Sequence, residues 1–257
     1  MQPRPFLLLL AAAAVLGLTL STYAQAPAAK TPAKKAAPIT EPADKPAPKK
    51  DPATGQVQAR FLQAHESFLA RGKAGPIGVL FLGDSITAGW AGGGKEVWAK
   101  NFTQYQPANF GIGGDRTQHV LWRIAEGELD GIKPKVVVLM IGTNNNAYPV
   151  EDIIKGDKEI VKQIHAKLPD AKLLLLAIFP RGAEANHPLR AKLAEVNKAL
   201  AKLDDGQKTI YLDIGDKFLD AQSNLPKDIM PDALHPNAKG YEIWAAAIQE
   251  PLAKLMK

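Results

Sequence analysis

Cysteine is missing from the 257-residue chain, which excludes a disulfide framework, a thiolate metal site, a cysteine nucleophile and a lipidated cysteine anchor. Acidic residues are in short supply, 26 Asp and Glu against 32 Lys and Arg, and the formal charge is +6. A surplus of that sign raises nucleic acid as a partner until the location of the charge is known. A run long enough to span a bilayer is also lacking. The longest apolar stretch, from Phe6 to Leu20, falls short of the roughly 20 residues a membrane helix needs. No internal repeat is found.

The positive charge sits mainly at the front. Residues 1–26 read as a secretory signal peptide, with Arg4 at the start, the Phe6–Leu20 stretch and a small-x-small cleavage site at Ala24-Gln25-Ala26. The alternative is an uncleaved anchor. Residues 27–54 carry seven prolines and six lysines (Lys30, Lys34, Lys35, Lys45, Lys49, Lys50) against Glu41, Asp44 and Asp51. Such a segment has too little to bury to offset its ordering entropy and is expected to be an extended, solvated tether. Its charge would rest weakly on anionic envelope polymers. One positive charge in the leader and a net three in the tether leave +2 on residues 55–257, so the nucleic-acid reading loses its support. The expected location is secreted or periplasmic, which the absence of cysteine fits, with no stable membrane span after cleavage.

Residues 55–257 are expected to form one domain. Phe61, Leu62, His65, Phe68 and Leu69 recur at helical spacing within Arg60–Arg71, with Gly72 as the stop. Short apolar runs follow at Ile77–Leu82, Ala108–Ile112, Val136–Ile141, Leu173–Phe179 and Thr209–Ile214. They are continuous rather than alternating, the pattern of parallel strands covered on both faces. Amphipathic stretches at Thr117–Leu129, Val150–Leu168, Leu189–Leu203 and Lys239–Leu255 separate or follow them. The alternation predicts an α/β fold, a three-layer α/β/α sandwich with about five mainly parallel strands.

Functional groups in such folds gather at the carboxyl ends of the strands. Ser85 follows the first run and precedes a segment that can open a helix, so its hydroxyl is presented at the sheet edge. Asp232 and His235, with two residues between them and flanked by Pro231 and Pro236, can pair so that one imidazole nitrogen remains free to face Ser85. The backbone N–H groups of Ser85 and Gly114 and the side-chain amide of Asn144 supply three donors for an oxyanion. Each feature has a plain structural alternative: a helix-capping turn, a surface loop, a Gly-Gly turn and an Asn-rich loop. Trp90, five residues after Ser85, is a candidate wall of the substrate pocket, with core packing as the alternative. Arg181, just past a strand, is a candidate contact for an anionic substrate group, with a surface salt bridge as the alternative.

Gly83-Asp84-Ser85-Ile86, Gly111-Ile112-Gly113-Gly114-Asp115, Gly142-Thr143-Asn144-Asn145 and Asp232-Ala233-Leu234-His235 resemble, in chain order, the four blocks of the SGNH (GDSL-type) hydrolase superfamily. Asn109-Phe110, His119-Val120-Leu121-Trp122-Arg123, Lys133-Pro134-Lys135-Val136, Pro180-Arg181-Gly182 and Pro188-Leu189-Arg190 resemble in particular the catalytic subunits of intracellular platelet-activating-factor acetylhydrolase. The resemblance spans roughly residues 76–255. It implies a flavodoxin-like parallel five-stranded sheet of order 2-1-3-4-5 and a catalytic triad of Ser85, Asp232 and His235. It also implies an oxyanion hole of Ser85, Gly114 and Asn144, a small acyl pocket, and neither metal nor organic cofactor. Ile86 departs from the usual Leu of the first block, and the leader and tether are foreign to the cytosolic enzymes.

Other motifs fail. Arg116 replaces the last glycine of a dinucleotide-binding fingerprint, and Thr87 replaces the second glycine of a G-x-S-x-G elbow. His65, His119, His165 and His187 lack ligand spacing. The expectation is therefore a secreted serine esterase acting on short-chain, mainly acetyl, esters of carbohydrates or other small molecules. The alternatives are an extracytoplasmic lysophospholipase or phospholipid deacetylase and, in another class, a non-catalytic envelope-binding module. A homodimer is left open as the assembly.

Overall fold

The computed structural model describes residues 41–257; the expected leader, 1–26, and the first part of the expected tether, 27–40, lie outside the described residues. Helix α1 (Ala59–Lys73) leads into β1 (Val79–Gly83), the one-turn helix α2 (Ser85–Ala88) and α3 (Lys95–Phe102). Then come β2 (Pro107–Gly111), α4 (Thr117–Ala125), β3 (Val136–Met140), α5 (Val150–Lys167) and β4 (Lys172–Leu176). Helix α6 (Pro188–Leu200), β5 (Thr209–Leu212) and α7 (Ala238–Leu255) complete the order. The five strands are all parallel in the order β2-β1-β3-β4-β5, as the family resemblance implies.

Continuous apolar runs make these strands because each face of the sheet has its own core. Leu80, Leu82, Val137, Leu139, Leu173 and Leu175 pack towards α4, α5 and α6. Their neighbours Val79, Phe81, Val136, Val138, Leu174 and Leu176 pack towards α3 and α7, with Phe102, Trp244 and Ile248. At about 1.5–3 kcal/mol for each large apolar side chain taken out of water, both faces contribute to folding. Helix α3 was not legible, since only Val97 and Phe102 of its eight residues are buried. Helix α4 ends at Ala125, short of the expected Leu129, because Gly127 turns the chain with φ of 87°.

The described part of the expected tether is not a free spacer. Residues 41–54, read from sequence as solvated, lie against the domain, and Ala43 is only 1% exposed. The contacts are polar and long-range. The Tyr148 hydroxyl donates to the Glu41 carbonyl (2.9 Å), the Thr117 hydroxyl to the Ala43 carbonyl (2.7 Å), and the Ala47 N–H to the Gln118 carbonyl (3.1 Å). Gly156 in α5 makes room for this strap, since a Cβ there would stand 2.7 Å from the Ala43 oxygen. Small side chains and a recognised backbone thus replace the apolar burial whose absence suggested a free tether.

Candidate active site

The register brings Gly83, at the carboxyl end of β1, beside Gly111 of β2 and Met140 of β3. A Cβ on Gly83 would lie 2.3 Å from the Thr87 hydroxyl and 2.4 Å from the Met140 carbonyl, and one on Gly111 would lie 2.3 Å from the Ala88 nitrogen. Only glycines let α2 sit this close to the sheet. The turn between β1 and α2 is tied down by Asp84, whose carboxylate accepts from the Ile86 N–H at 2.9 Å, and by Tyr241, whose hydroxyl donates to the Ile86 carbonyl at 2.7 Å. Ser85 is therefore presented from a constrained turn.

His235 reaches it from the loop before α7. The Ser85 Oγ lies 2.8 Å from His235 Nε2, and His235 Nδ1 lies 2.6 Å from Asp232 Oδ2. The second Asp232 oxygen accepts from the N–H groups of His235 (2.7 Å) and Leu234 (3.1 Å). Partial burial pushes the Asp232 carboxyl up, but the His235 ring and these two N–H donors outweigh it and hold it below the usual range. Ala233 between them is left-handed (φ 57°), and its carbonyl accepts from the Gly182 N–H at 3.0 Å, which pins the loop to the chain leaving β4. The arrangement can transfer a proton from the serine hydroxyl to an imidazole that a carboxylate orients.

The turns after β2 and β3 flank the hydroxyl. A Cβ on Gly113 would stand 3.9 Å from the Ser85 Cβ, and Gly114 is left-handed at φ of 74°. Asn144 donates its amide to the Asp115 carbonyl at 2.9 Å and lies 3.5 Å from the Asp84 carboxylate. Burial raises the Asp84 carboxyl to about 6, against the pull of the Ile86 N–H bond and the charges of His235, Arg181 and Lys49. All five residues expected at the reacting centre, Ser85, Gly114, Asn144, Asp232 and His235, are thus gathered around one turn.

The two expected pocket residues fare differently. Trp90 is 1% exposed and packs among Trp98, Phe102, Tyr241 and Trp244, so it belongs to the core; the 3-10 turn Gly89–Ala91 aims it inward. Arg181 does approach the site, but its Nη1 donates to the Thr143 carbonyl at 2.9 Å, the peptide just before Asn144.

Residues missed in the sequence lie beneath these turns. Arg123 is wholly buried. It donates to Asp115 (3.0 Å), to Glu128, and to the Phe110 (3.2 Å) and Gly83 (3.3 Å) carbonyls at the ends of β2 and β1. Its signal was a cation on the apolar face of α4, one turn after Val120. His119, also buried, accepts from the Arg116 N–H at 3.1 Å, and burial together with the Lys49, Arg116 and Arg123 charges lowers its ring to about 3, leaving it neutral. Lys49 of the strap approaches the same region. Its ammonium donates to the Gly113 carbonyl and stands 3.8 Å from Asp115 Oδ1.

Residues 81–243 match the model of the GDSL-like lipase/acylhydrolase family. The chain is similar to the platelet-activating factor acetylhydrolase IB subunit alpha1 of Homo sapiens, 36% identical over 202 residues that cover 78% of this chain and 86% of that protein. It is 39% identical to the alpha2 subunit of Rattus norvegicus over 201 residues, 77% and 83% of the two chains. Solved structures of similar fold include a GDSL-like lipase from Bacteroides thetaiotaomicron, with TM-score 0.59, 21% identity, and 74% and 97% coverage. A variant of an acetyl-xylooligosaccharide esterase from Geobacillus Stearmophilus has TM-score 0.56, 18% identity, and 68% and 94% coverage.

Proposed function

The chain belongs to the GDSL-like lipase/acylhydrolase family and is a carboxylic ester hydrolase; from that premise we propose that Ser85 is its nucleophile and that it removes short acyl groups, chiefly acetyl, from carbohydrate or other small esters outside the cytoplasm. The observation that carries this reading is the unbroken path from Ser85 Oγ through the His235 ring to Asp232, at 2.8 and 2.6 Å. His235 Nε2 takes the serine proton as Oγ attacks the ester carbonyl, and the carbonyl oxygen becomes an oxyanion held by the N–H groups of Ser85 and Gly114 and the Asn144 amide. Collapse expels the alkoxide, which takes the proton back from His235. Water, deprotonated by the same imidazole, then hydrolyses the acyl-enzyme and restores Ser85. Asp232 keeps Nδ1 protonated throughout.

The names of the curated relatives support acetyl as the acyl group, while the leader read in residues 1–26 supports export. Among the described residues no helix is long and apolar enough to cross a membrane. A fluorophosphonate probe is expected to label the protein and to fail on Ser85→Ala. With esters of increasing acyl length, kcat/KM is expected to fall steeply beyond acetyl; a maximum at long chains would sink the short-acyl reading. The same relatives favour a second substrate, an acetylated phospholipid. Comparing sugar acetates with such a lipid in one panel decides between the two.

A further inference from the structure

Lys49 does not behave as part of a solvated spacer. Its side chain is 15% exposed, and its backbone is fixed on both sides. Upstream, Ala47, Ala43 and Glu41 are bonded to Gln118, Thr117 and Tyr148. Downstream, Lys50 forms an antiparallel bridge with Val57, and the Lys49 carbonyl accepts from the Gln58 N–H at 2.8 Å. So held, the ammonium reaches the Gly113 carbonyl and stands beside Asp115 Oδ1, a buried oxygen with no hydrogen bond of its own.

The bonded carbonyl belongs to the peptide whose N–H is that of Gly114. A planar trans peptide points its N–H opposite to its C=O, so holding the Gly113 oxygen also aims the Gly114 N–H. A cation on the oxygen polarises the amide and strengthens its N–H as a donor. The need for a clamp is local. Two successive glycines, the second left-handed, have more backbone freedom to lose than any other pair, and the first lies against Ser85. Arg181 also holds a carbonyl on the other turn, that of Thr143 just before Asn144, although there the proposed donor is a side-chain amide.

We propose that Lys49 is a positioning residue of the oxyanion hole, an ammonium delivered by the amino-terminal strap that orients and polarises the Gly113–Gly114 peptide. This rests on the reading that the Gly114 N–H receives the oxyanion. Lys49 itself touches neither substrate nor the reacting atoms.

The test uses the full chain and its lack of cysteine. Lys49→Met is expected to lower kcat on a p-nitrophenyl acetate substrate about 10- to 100-fold, somewhat below the loss of a donor itself, with KM within about twofold. Lys49→Cys gives folded protein with one thiol to alkylate. Bromoethylamine restores an ammonium at nearly the same reach and is expected to recover most of kcat, whereas iodoacetamide, which leaves a neutral amide, is not. Equal kcat for the two alkylated forms would overturn the proposal, because a merely structural role depends on bulk rather than charge. So would Lys49→Met with kcat within about twofold of wild type, or with KM raised and kcat unchanged, the sign of a substrate contact. Fluorophosphonate labelling separates the layers: if wild type does not label, the Ser85 reading has failed, whereas wild type that labels while the Lys49 variants retain full kcat refutes only the clamp.

Discussion

Replacing Arg123 by Met removes a guanidinium that is wholly buried with both of its carboxylate partners, Asp115 and Glu128. The methionine fills much of the stem's volume, so the loss is chiefly electrostatic. Burial pushes the Asp115 carboxyl up while Arg123 and Lys49 pull it down, and without Arg123 that balance shifts towards the proton. Breaking a buried ion pair from one side costs about 3–5 kcal/mol. The lost bonds to the Gly83 and Phe110 carbonyls place the variant at the upper end. With an m-value of about 2 kcal/mol per M of urea, the midpoint should fall by roughly 2 M at pH 7.5. The deficit should shrink in acid: burial already raises the Asp115 carboxyl, and a raised acid loses stability as pH rises and regains it as pH falls. Adding Glu128→Gln removes one stranded charge and should restore about 2 kcal/mol. Urea titrations of wild type, both single variants and the double variant at two pH values give the cycle. A single variant within about 1 kcal/mol of wild type, or a double variant less stable than Arg123→Met, would refute the argument.

With its amide assigned to the oxyanion as proposed, Asn144→Ala should lower kcat about 10²- to 10³-fold with KM little changed; steady-state kinetics on an acetyl ester read both. Asp84, raised from 3.8 to about 6, holds its proton more tightly folded than unfolded, so its contribution is lost as pH rises from about 4 to 6, by about 3 kcal/mol in total. Urea titrations of Asp84→Asn should therefore show a stability gain over wild type that grows across that window and levels off above it; a constant gap would contradict the shift. Gly111→Ala places a Cβ 2.3 Å from the Ala88 nitrogen and 2.8 Å from the Asp84 carbonyl, backbone that cannot turn aside. It should cost about 1–3 kcal/mol in thermal unfolding and displace Ser85, with a larger loss of kcat than Gly131→Ala, where no atom lies within 4 Å and the strain of a left-handed residue (φ 78°) falls on an exposed turn away from the site.

The strands were legible because a doubly covered parallel sheet writes itself as uninterrupted apolar runs; of the residues proposed for the reacting centre, Ser85, Gly114 and Asn144 stood out because they follow three of those runs in short blocks, and Asp232 and His235 by their spacing before the last helix. Trp90 was ambiguous for a simple reason: proximity in sequence to Ser85 says nothing about which face a turn presents. The strap was misread because its attachment to the rest of the fold uses backbone groups and a single lysine, whose partners lie 64 to 107 residues downstream. Composition does not record such contacts. One mark of them was present, Gly156 within an amphipathic helix, and like Arg123 within an apolar face, which marks the buried ion pairs instead, it acquires meaning only once the tertiary partner is known.

The same distances bear on the order in which the chain becomes active. Ser85 waits for a histidine 150 residues further on, and the strap, the earliest described segment to be synthesised, waits for Thr117 and Tyr148. Contacts of such separation form only after the loops between them have closed. The sheet can assemble around β1 and β3 while both ends are still loose, and such an intermediate would contain Ser85 without the histidine proposed as its base. On the proposed mechanism hydrolysis is then a late event in folding, and recovery of esterase activity after dilution from denaturant should lag behind recovery of strand and helix signals.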